Sequence, residues 1–260
     1  MTCVVAGKLR SVPRTLGLDA VAERARRMIV AQFRQPTGQL GKLAGLVMAS
    51  RRSNRLRNRW AVGQLDMAPG LRVLELGCGP GLAVQYALEA GAGEVLALDH
   101  SIEMIHQAER RNRSAAQDGR VAFRLGGLEA LRAEDGPLDA ALLVNVVHFL
   151  PDRMQAFDVV ADLLRPGGKL VIVYQPRLRT VSETELEEGA DDLAAEMREI
   201  GFTDIACHRL QLSPNPALCV VGRMAAGGTN ALRTGTRRHP PARRHGRPAL
   251  RLIQGGAAAE

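Results

Sequence analysis

Glycine at every second position, Gly77, Gly79 and Gly81, follows directly on the apolar run Val73-Leu74-Glu75-Leu76, which carries one carboxylate. Glycine opens backbone dihedrals closed to other residues and lets the main chain approach a bound molecule closely. Pro80 stiffens the turn between them. Leu82 to Ala90 is helical in composition, and Gly91 fits its C-terminal cap. The loop therefore lies between a strand end and a helix N-terminus, where open α/β sheets hold ligands. Glycine turns also join strands to helices with nothing bound, so the glycines alone do not decide. A second carboxylate adds weight. Eighteen residues beyond Gly81, Val95-Leu96-Ala97-Leu98 ends in Asp99, at a separation from the loop that suits contact with ribose. Asp99 suits the start of the next helix as well, a role Ser101 also offers.

The elements that must position these residues follow from periodicity. Strands are predicted at 72–76, 95–98, 121–125, 140–144 and 169–173, with helical patterns at 82–90, 101–112 and 152–164 between them. Alternation of this kind argues an α/β fold, a parallel sheet with helices on both faces. Ser182 and Glu185 make a capping box for a helix ending at Gly201. Residues 205–210 and 218–221 then flank Ser213-Pro214-Asn215-Pro216, so short a link that the two strands are antiparallel neighbours. The sheet is thus seven-stranded and mostly parallel, closed by a C-terminal antiparallel hairpin. Ahead of it, apolar spacing from Asp19 to Phe33, from Leu40 to Val47 and from Leu56 to Leu65 gives two or three short helices. Residues 1–65 are read as a basic helical cap over the ligand site, or as helices that merely cover a sheet edge. Residues 66–223 form the ligand-binding domain.

Glu75 to Gly81, taken with Leu98-Asp99-His100-Ser101-Ile102-Glu103-Met104, resembles motifs I and II of class I S-adenosylmethionine-dependent methyltransferases. Dinucleotide-binding loops usually carry their third glycine one position later, where this chain has Leu82, which makes them the second reading. The resemblance implies the Rossmann-like class I methyltransferase fold, with S-adenosylmethionine as the cofactor. It implies that Gly77, Cys78, Gly79 and Gly81 form the cofactor loop, with the main chain of Gly77 and Gly79 on the methionine portion. The Cys78 thiol is a small space-filler rather than a nucleophile. Glu75 supports the ammonium directly or through water, Asp99 bonds the ribose hydroxyls, and His100 and Ile102 border the adenine. Gly127 and Leu128 correspond to the segment beside the ring. The family commonly has aspartate where this chain has Gly127, which leaves the Leu128 backbone, or Glu129 reaching in, to meet the adenine. Asn145, after the fourth strand, positions cofactor or substrate or simply ends the strand; His148 is a general base or a structural residue. The turn 164–170 matches a family position that shapes the fold. No Asn/Asp-Pro-Pro-aromatic sequence is present, which argues against amino-group methylation of adenine or glutamine. No metal is required. The leader from Arg34 to Val62 is similar to a bacterial, small-molecule branch of these enzymes, so the acceptor is expected to be a small molecule, selected by the cap and by Gln175 to Glu188.

Charge is unevenly spread over the 260 residues, whose formal net charge is +8. Residues 1–60 hold 13 basic and 2 acidic residues and residues 224–260 hold 7 and 1, so the body between them is acidic. Basic ends suggest nucleic acid, and a methyltransferase acting on RNA or protein would use them. Against that, the charge lies outside the apparent domain and aromatic residues for base stacking make up only 3% of the chain. The Arg, Gly, Pro and Ala composition of 224–260 predicts disorder. Cys3, Cys78, Cys207 and Cys219 show neither C-x-x-C nor metal-like spacing, which fits a reducing cytoplasm. The most apolar stretch, 138–150, contains Asp139, Asn145 and His148 and is too short to span a bilayer. A non-enzymatic S-adenosylmethionine-binding protein would keep the same glycine loop and lack a working acceptor pocket.

Overall fold

The computed structural model describes residues 51–176 and 180–226 and the backbone of 252–254. Five parallel strands, β1 (Arg72–Leu76), β2 (Glu94–Asp99), β3 (Val121–Leu125), β4 (Leu138–Val144) and β5 (Leu164–Tyr174), lie in the order β3-β2-β1-β4-β5. β7 (Ala217–Met224) runs antiparallel between β5 and β6 (Phe202–Leu210). These are the seven strands and the terminal hairpin expected from sequence.

Helices cover both faces. On one, α1 (Arg52–Gly63), α2 (Leu82–Glu89) and α3 (Ile102–Arg111) bury Ala61, Val62, Val84, Ala87, Ile105 and Ala108 against the sheet. On the other, α5 (Arg153–Leu163) and α6 (Glu183–Ile200) bury Phe157, Val160, Leu193 and Met197. Alanine and valine dominate the first interface. α6 has the expected start and stop: Ser182 and Glu185 form the reciprocal capping box, and Gly201 ends the helix at φ 111°.

Three local features differ from the sequence reading. The helix expected over 101–112 is present as α3, but beyond Asn112 (φ −109°, ψ 29°) a further short α4 (Arg113–Gln117) follows that the sequence reading did not include. The turn expected at 164–170 is an irregularity inside β5, whose pairing with β4 passes from Leu164 opposite Leu138 to Lys169 opposite Ala140. An eighth strand, β8 (Leu252–Gln254), pairs in parallel with β6, in the tail for which composition predicted disorder. An edge strand leaves its N–H and C=O groups open to any extended segment, which composition alone does not register. Residues 1–50, which carry most of the expected cap, and 227–251 and 255–260 of the tail lie outside the described residues.

α1 is anchored at its C-terminal end. The Lys169 ammonium donates to the Gln64 carbonyl at 3.0 Å and to the Asp66 carboxylate, which Arg223 also reaches. Lys169→Met is expected to lower stability by about 1.5–3 kcal/mol, the usual range for hydrogen bonds to a charged group. A reduced urea midpoint at unchanged m value would show it.

Candidate functional site

Parallel pairing of Leu76 with Leu98 brings the loops after β1 and β2 side by side at the C-terminal edge of the sheet. The Gly77 and Cys78 N–H groups both donate to the Leu98 carbonyl, each at 2.8 Å. The Gly79 N–H donates to Asp99 Oδ2 at 2.8 Å, and the Gly81 N–H to the Cys78 carbonyl at 3.0 Å. Pro80 has no N–H. Every donor from 77 to 81 is therefore already engaged, while the carbonyls of Gly77 and Gly79 accept no backbone N–H among the described residues, the Gly79 carbonyl taking the Cys78 thiol at 3.6 Å. Beneath them lie two buried carboxylates. Such a loop repels phosphate, which needs N–H donors, and attracts a cation.

The three glycines have different reasons to be glycine. A Cβ on Gly77 would lie 2.4 Å from Val146 Cγ2, and one on Gly81 would lie 2.8 Å from Ala108 Cα and 2.7 Å from Asn112 Nδ2. A Cβ on Gly79 would meet nothing within 4 Å. Only Gly79 thus borders open space; the other two are held by packing against the segment after β4 and against α3. The end of α3 also braces the loop, with Arg111 Nε donating to the Pro80 carbonyl at 2.8 Å and Asn112 Nδ2 to the Gly81 carbonyl at 3.1 Å. Neither residue was singled out by sequence, because nothing in the spacing shows which helix end meets the loop.

Glu75 is 2% exposed; the Val84 N–H donates to it, and its Oε2 has no partner among the described residues. Burial, reinforced by the nearby Asp99 charge, raises its carboxyl well above the usual range. Asp99 is also buried and accepts from Gly79 and, through Oδ1, from the Ser101 N–H at 2.9 Å; burial still raises its carboxyl. A side-chain anchor for the loop is thus added to whatever Asp99 contributes to a ligand. Cys78 packs in the core, and burial followed by the Glu75 and Asp99 charges pushes its thiol far up, so it stays protonated.

His100 is exposed beside Asp99, with Nδ1 3.8 Å from Oδ1. Ile102 and Leu125 are exposed large apolar residues on either side of Asp99, Leu125 as its cross-strand partner. After β3, the Glu129 carboxylate folds back: Oε1 accepts the Gly127 N–H at 2.7 Å, and Oε2 lies 2.9 Å from where a Cβ on Gly127 would be. A carboxylate therefore occupies the place of the side chain that Gly127 lacks. Leu128, between them, is half-buried against the core.

The segment after β4 abuts the same loop through Val146. Asn145 ends the strand in a left-handed conformation (φ 58°), and its Oδ1 accepts the Gln175 N–H at 2.7 Å. Gln175 is a hub: Arg57 Nη1 donates to its Oε1 at 2.6 Å, and its Nε2 donates to the Asn215 carbonyl at 2.7 Å. Asn215 in turn bonds the Pro176 carbonyl and the Val181 N–H. This buried polar chain from α1 to the hairpin link was invisible in the sequence, since the residues its side chains join are 30 or more positions apart. His148 keeps solvent access, with its ring 4.1 Å from that of Phe149; desolvation and then the Arg57 charge hold its imidazole below the ordinary histidine range.

Residues 73–168, from β1 into β5, match the family model described as a methyltransferase domain. That stretch is similar to methyltransferase domains. The chain is 27% identical over 185 residues to the uncharacterized methyltransferase YdaC of Bacillus subtilis, covering 71% of this chain and 99% of the relative. It is 35% identical over 105 residues to a ubiquinone biosynthesis O-methyltransferase of Xanthomonas campestris, covering 40% of this chain and 43% of the relative. Outside YdaC, the chain spans less than half the length of such curated relatives. The chain shares its fold with phosphoethanolamine N-methyltransferase 2 of Haemonchus contortus, solved with S-adenosylhomocysteine: TM-score 0.51, 16% identity, 65% of this chain and 52% of that one.

Proposed function

We propose that the protein is an S-adenosylmethionine-dependent methyltransferase acting on a small molecule. The observation that carries this is the polarity of the glycine loop, which spends every N–H internally and offers carbonyls over the Glu75 and Asp99 carboxylates. A pyrophosphate finds no donor there, whereas an ammonium or sulfonium finds acceptors. The residues fit the cofactor. Glu75 Oε2, buried and orphaned, supports the ammonium; Gly79 gives the main chain its close approach; Asp99 keeps lone pairs for ribose hydroxyls; Ile102 and Leu125 wall the base. When bound, S-adenosylmethionine supplies a methyl group already activated on sulfur, so the protein's work is alignment and exclusion of water.

The ubiquinone O-methyltransferase relative and the modest aromatic content support a small acceptor over RNA or protein. Incubating the full chain with methyl-labelled S-adenosylmethionine and a bacterial extract separates the alternatives. Label in the low-mass fraction is expected; label only in RNA or protein, or none despite cofactor binding, would contradict the proposal.

Glu129 replaces the missing Gly127 side chain beside the base. Glu129→Gln is expected to weaken S-adenosylhomocysteine by about 1 kcal/mol, the net worth of a hydrogen bond. S-inosylhomocysteine, which lacks the amino group, is expected to be unaffected. Calorimetric titration of both ligands measures the difference.

No helix among the described residues is long and apolar enough to cross a membrane.

A further inference from the structure

The two faces of α1 are unlike. Its inner face packs on the sheet through Ala61 and Val62. Its outer face carries Arg52, Arg55, Leu56 and Arg59, which at 3.6 residues per turn share an arc of about 100°. All four are exposed, as is Arg51 just before them, and Leu56 is 45% accessible. No acidic residue occurs from Arg51 to Gly63, and none of these four arginines has a carboxylate partner among the described residues. Towards the C-terminal end, Glu89 of α2 lines the hollow in which the Arg59 guanidinium lies 5.9 Å from the centre of the Tyr86 ring. On the other side of the sheet α6 holds eight acidic residues against one arginine, so charge is separated between the faces of the molecule rather than averaged. The basic stripe is also held in place, because α1 is tied at one end by Arg57 to Gln175 and at the other by Lys169 to the Gln64 carbonyl.

A rigid row of arginines without local counter-charge attracts a polyanion. The residue among them decides which kind. A nucleic-acid backbone would pair the arginines but leave Leu56 in water, and Trp60, the aromatic residue of α1, is half-buried against the core rather than presented to a base. A bilayer surface pairs the guanidinium groups with headgroup phosphates, lets the arginine stems lie along the interface and takes Leu56 beneath them, with Trp60 one turn further on at the margin of the stripe. We infer that the outer face of α1 is a docking surface for an anionic phospholipid membrane, which the helix meets lying flat and does not cross. Docking of this kind is independent of methyl transfer.

The test mixes the full chain with vesicles of phosphatidylcholine, with and without phosphatidylglycerol, and reads the bound fraction by sedimentation. Tighter binding to the anionic vesicles, weakening as salt is raised, is expected. A net positive charge alone gives some such preference, so two variants of equal charge are compared. Arg52→Gln, Arg55→Gln and Arg59→Gln together are expected to weaken binding to the anionic vesicles at least about tenfold, each arginine near the surface contributing to the attraction. Arg237→Gln, Arg243→Gln and Arg244→Gln together, in the C-terminal tail, are expected to change it by less than about threefold on the same grounds. Leu56→Ser is expected to weaken vesicle binding severalfold and to leave retention on duplex RNA, measured at the same salt, as it was. The substituted positions on α1 are exposed, so the urea midpoints of these variants are expected to match the wild type. Equal losses from the two triple variants, anionic vesicles bound no better than neutral ones, or RNA bound more tightly than anionic vesicles with no effect of Leu56→Ser on either, would overturn the inference.

Discussion

Gly81→Ala is expected to lose about 3 kcal/mol of stability, whereas Gly79→Ala is expected to lose about 1 kcal/mol and most of its cofactor affinity. The first figure combines roughly 1–2 kcal/mol for alanine in a left-handed conformation with roughly 1–3 kcal/mol for overpacking. Both causes apply at Gly81: φ is 75°, and the new methyl group would meet Ala108 Cα at 2.8 Å, which is backbone and cannot swing aside. Gly77→Ala belongs with Gly81, since Val146 is short and its Cγ2 would be 2.4 Å away. At Gly79 (φ 52°) only the conformational cost applies, because nothing lies within 4 Å. The methyl group there fills the space over the loop instead. Urea unfolding and titration with S-adenosylhomocysteine, run on all three variants, read the two effects separately. Equal stability loss at all three positions would mean that the loop's open side has been misassigned.

Removing the Glu75 charge is the second large effect. The folded chain holds the Glu75 proton more tightly than the unfolded chain does, because its carboxyl is raised by burial and by Asp99. Stability of the free protein therefore falls as pH rises from the usual carboxylate value through the raised one, over which the buried group is forced to ionise. A cationic ligand acts in the opposite sense, and the stabilisation it brings grows across the same window. Asp99, also raised, adds to the trend. Glu75→Gln isolates the Glu75 share: it is expected to flatten both pH dependences and to weaken S-adenosylhomocysteine by about 1.5–3 kcal/mol, roughly tenfold to a hundredfold, as for loss of a hydrogen bond to a charged group. Melting temperatures with and without ligand across that pH range measure this. A ligand-induced shift that is the same in wild type and variant would show that Glu75 does not face the ammonium.

Local chemistry was legible where it is written in neighbouring residues. The β1 and β2 tips were read from short apolar runs ending at Gly77 and Asp99, and the start of α6 from Ser182 and Glu185 alone. What was not legible depends on distant parts meeting. Gly77 and Gly81 looked like ligand-facing glycines, and only the approach of Val146 and Ala108 shows that packing requires them. Asn145 stood equally well as strand terminator or ligand contact; its left-handed backbone and its bond to Gln175 show that it does end the strand. Its Nδ2 has no partner among the described residues. The Arg57, Gln175 and Asn215 chain has no sequence signature, since buried arginine and amides read as surface residues until the fold places them together. β8 failed to register for a related reason: three residues in a polar tail carry no periodicity, and their pairing is decided by the open edge of β6.

The most direct test of the central claim is calorimetric titration of the full chain with S-adenosylhomocysteine and, separately, with NAD, on the wild type and on Asp99→Ala. The loop polarity predicts that S-adenosylhomocysteine binds and NAD does not. It also predicts that Asp99→Ala weakens binding by about 1–3 kcal/mol, since the substitution removes hydrogen bonds at a charged group and the anchor of Gly79. NAD binding as tightly as S-adenosylhomocysteine, or no heat from either on the wild type, would contradict the account.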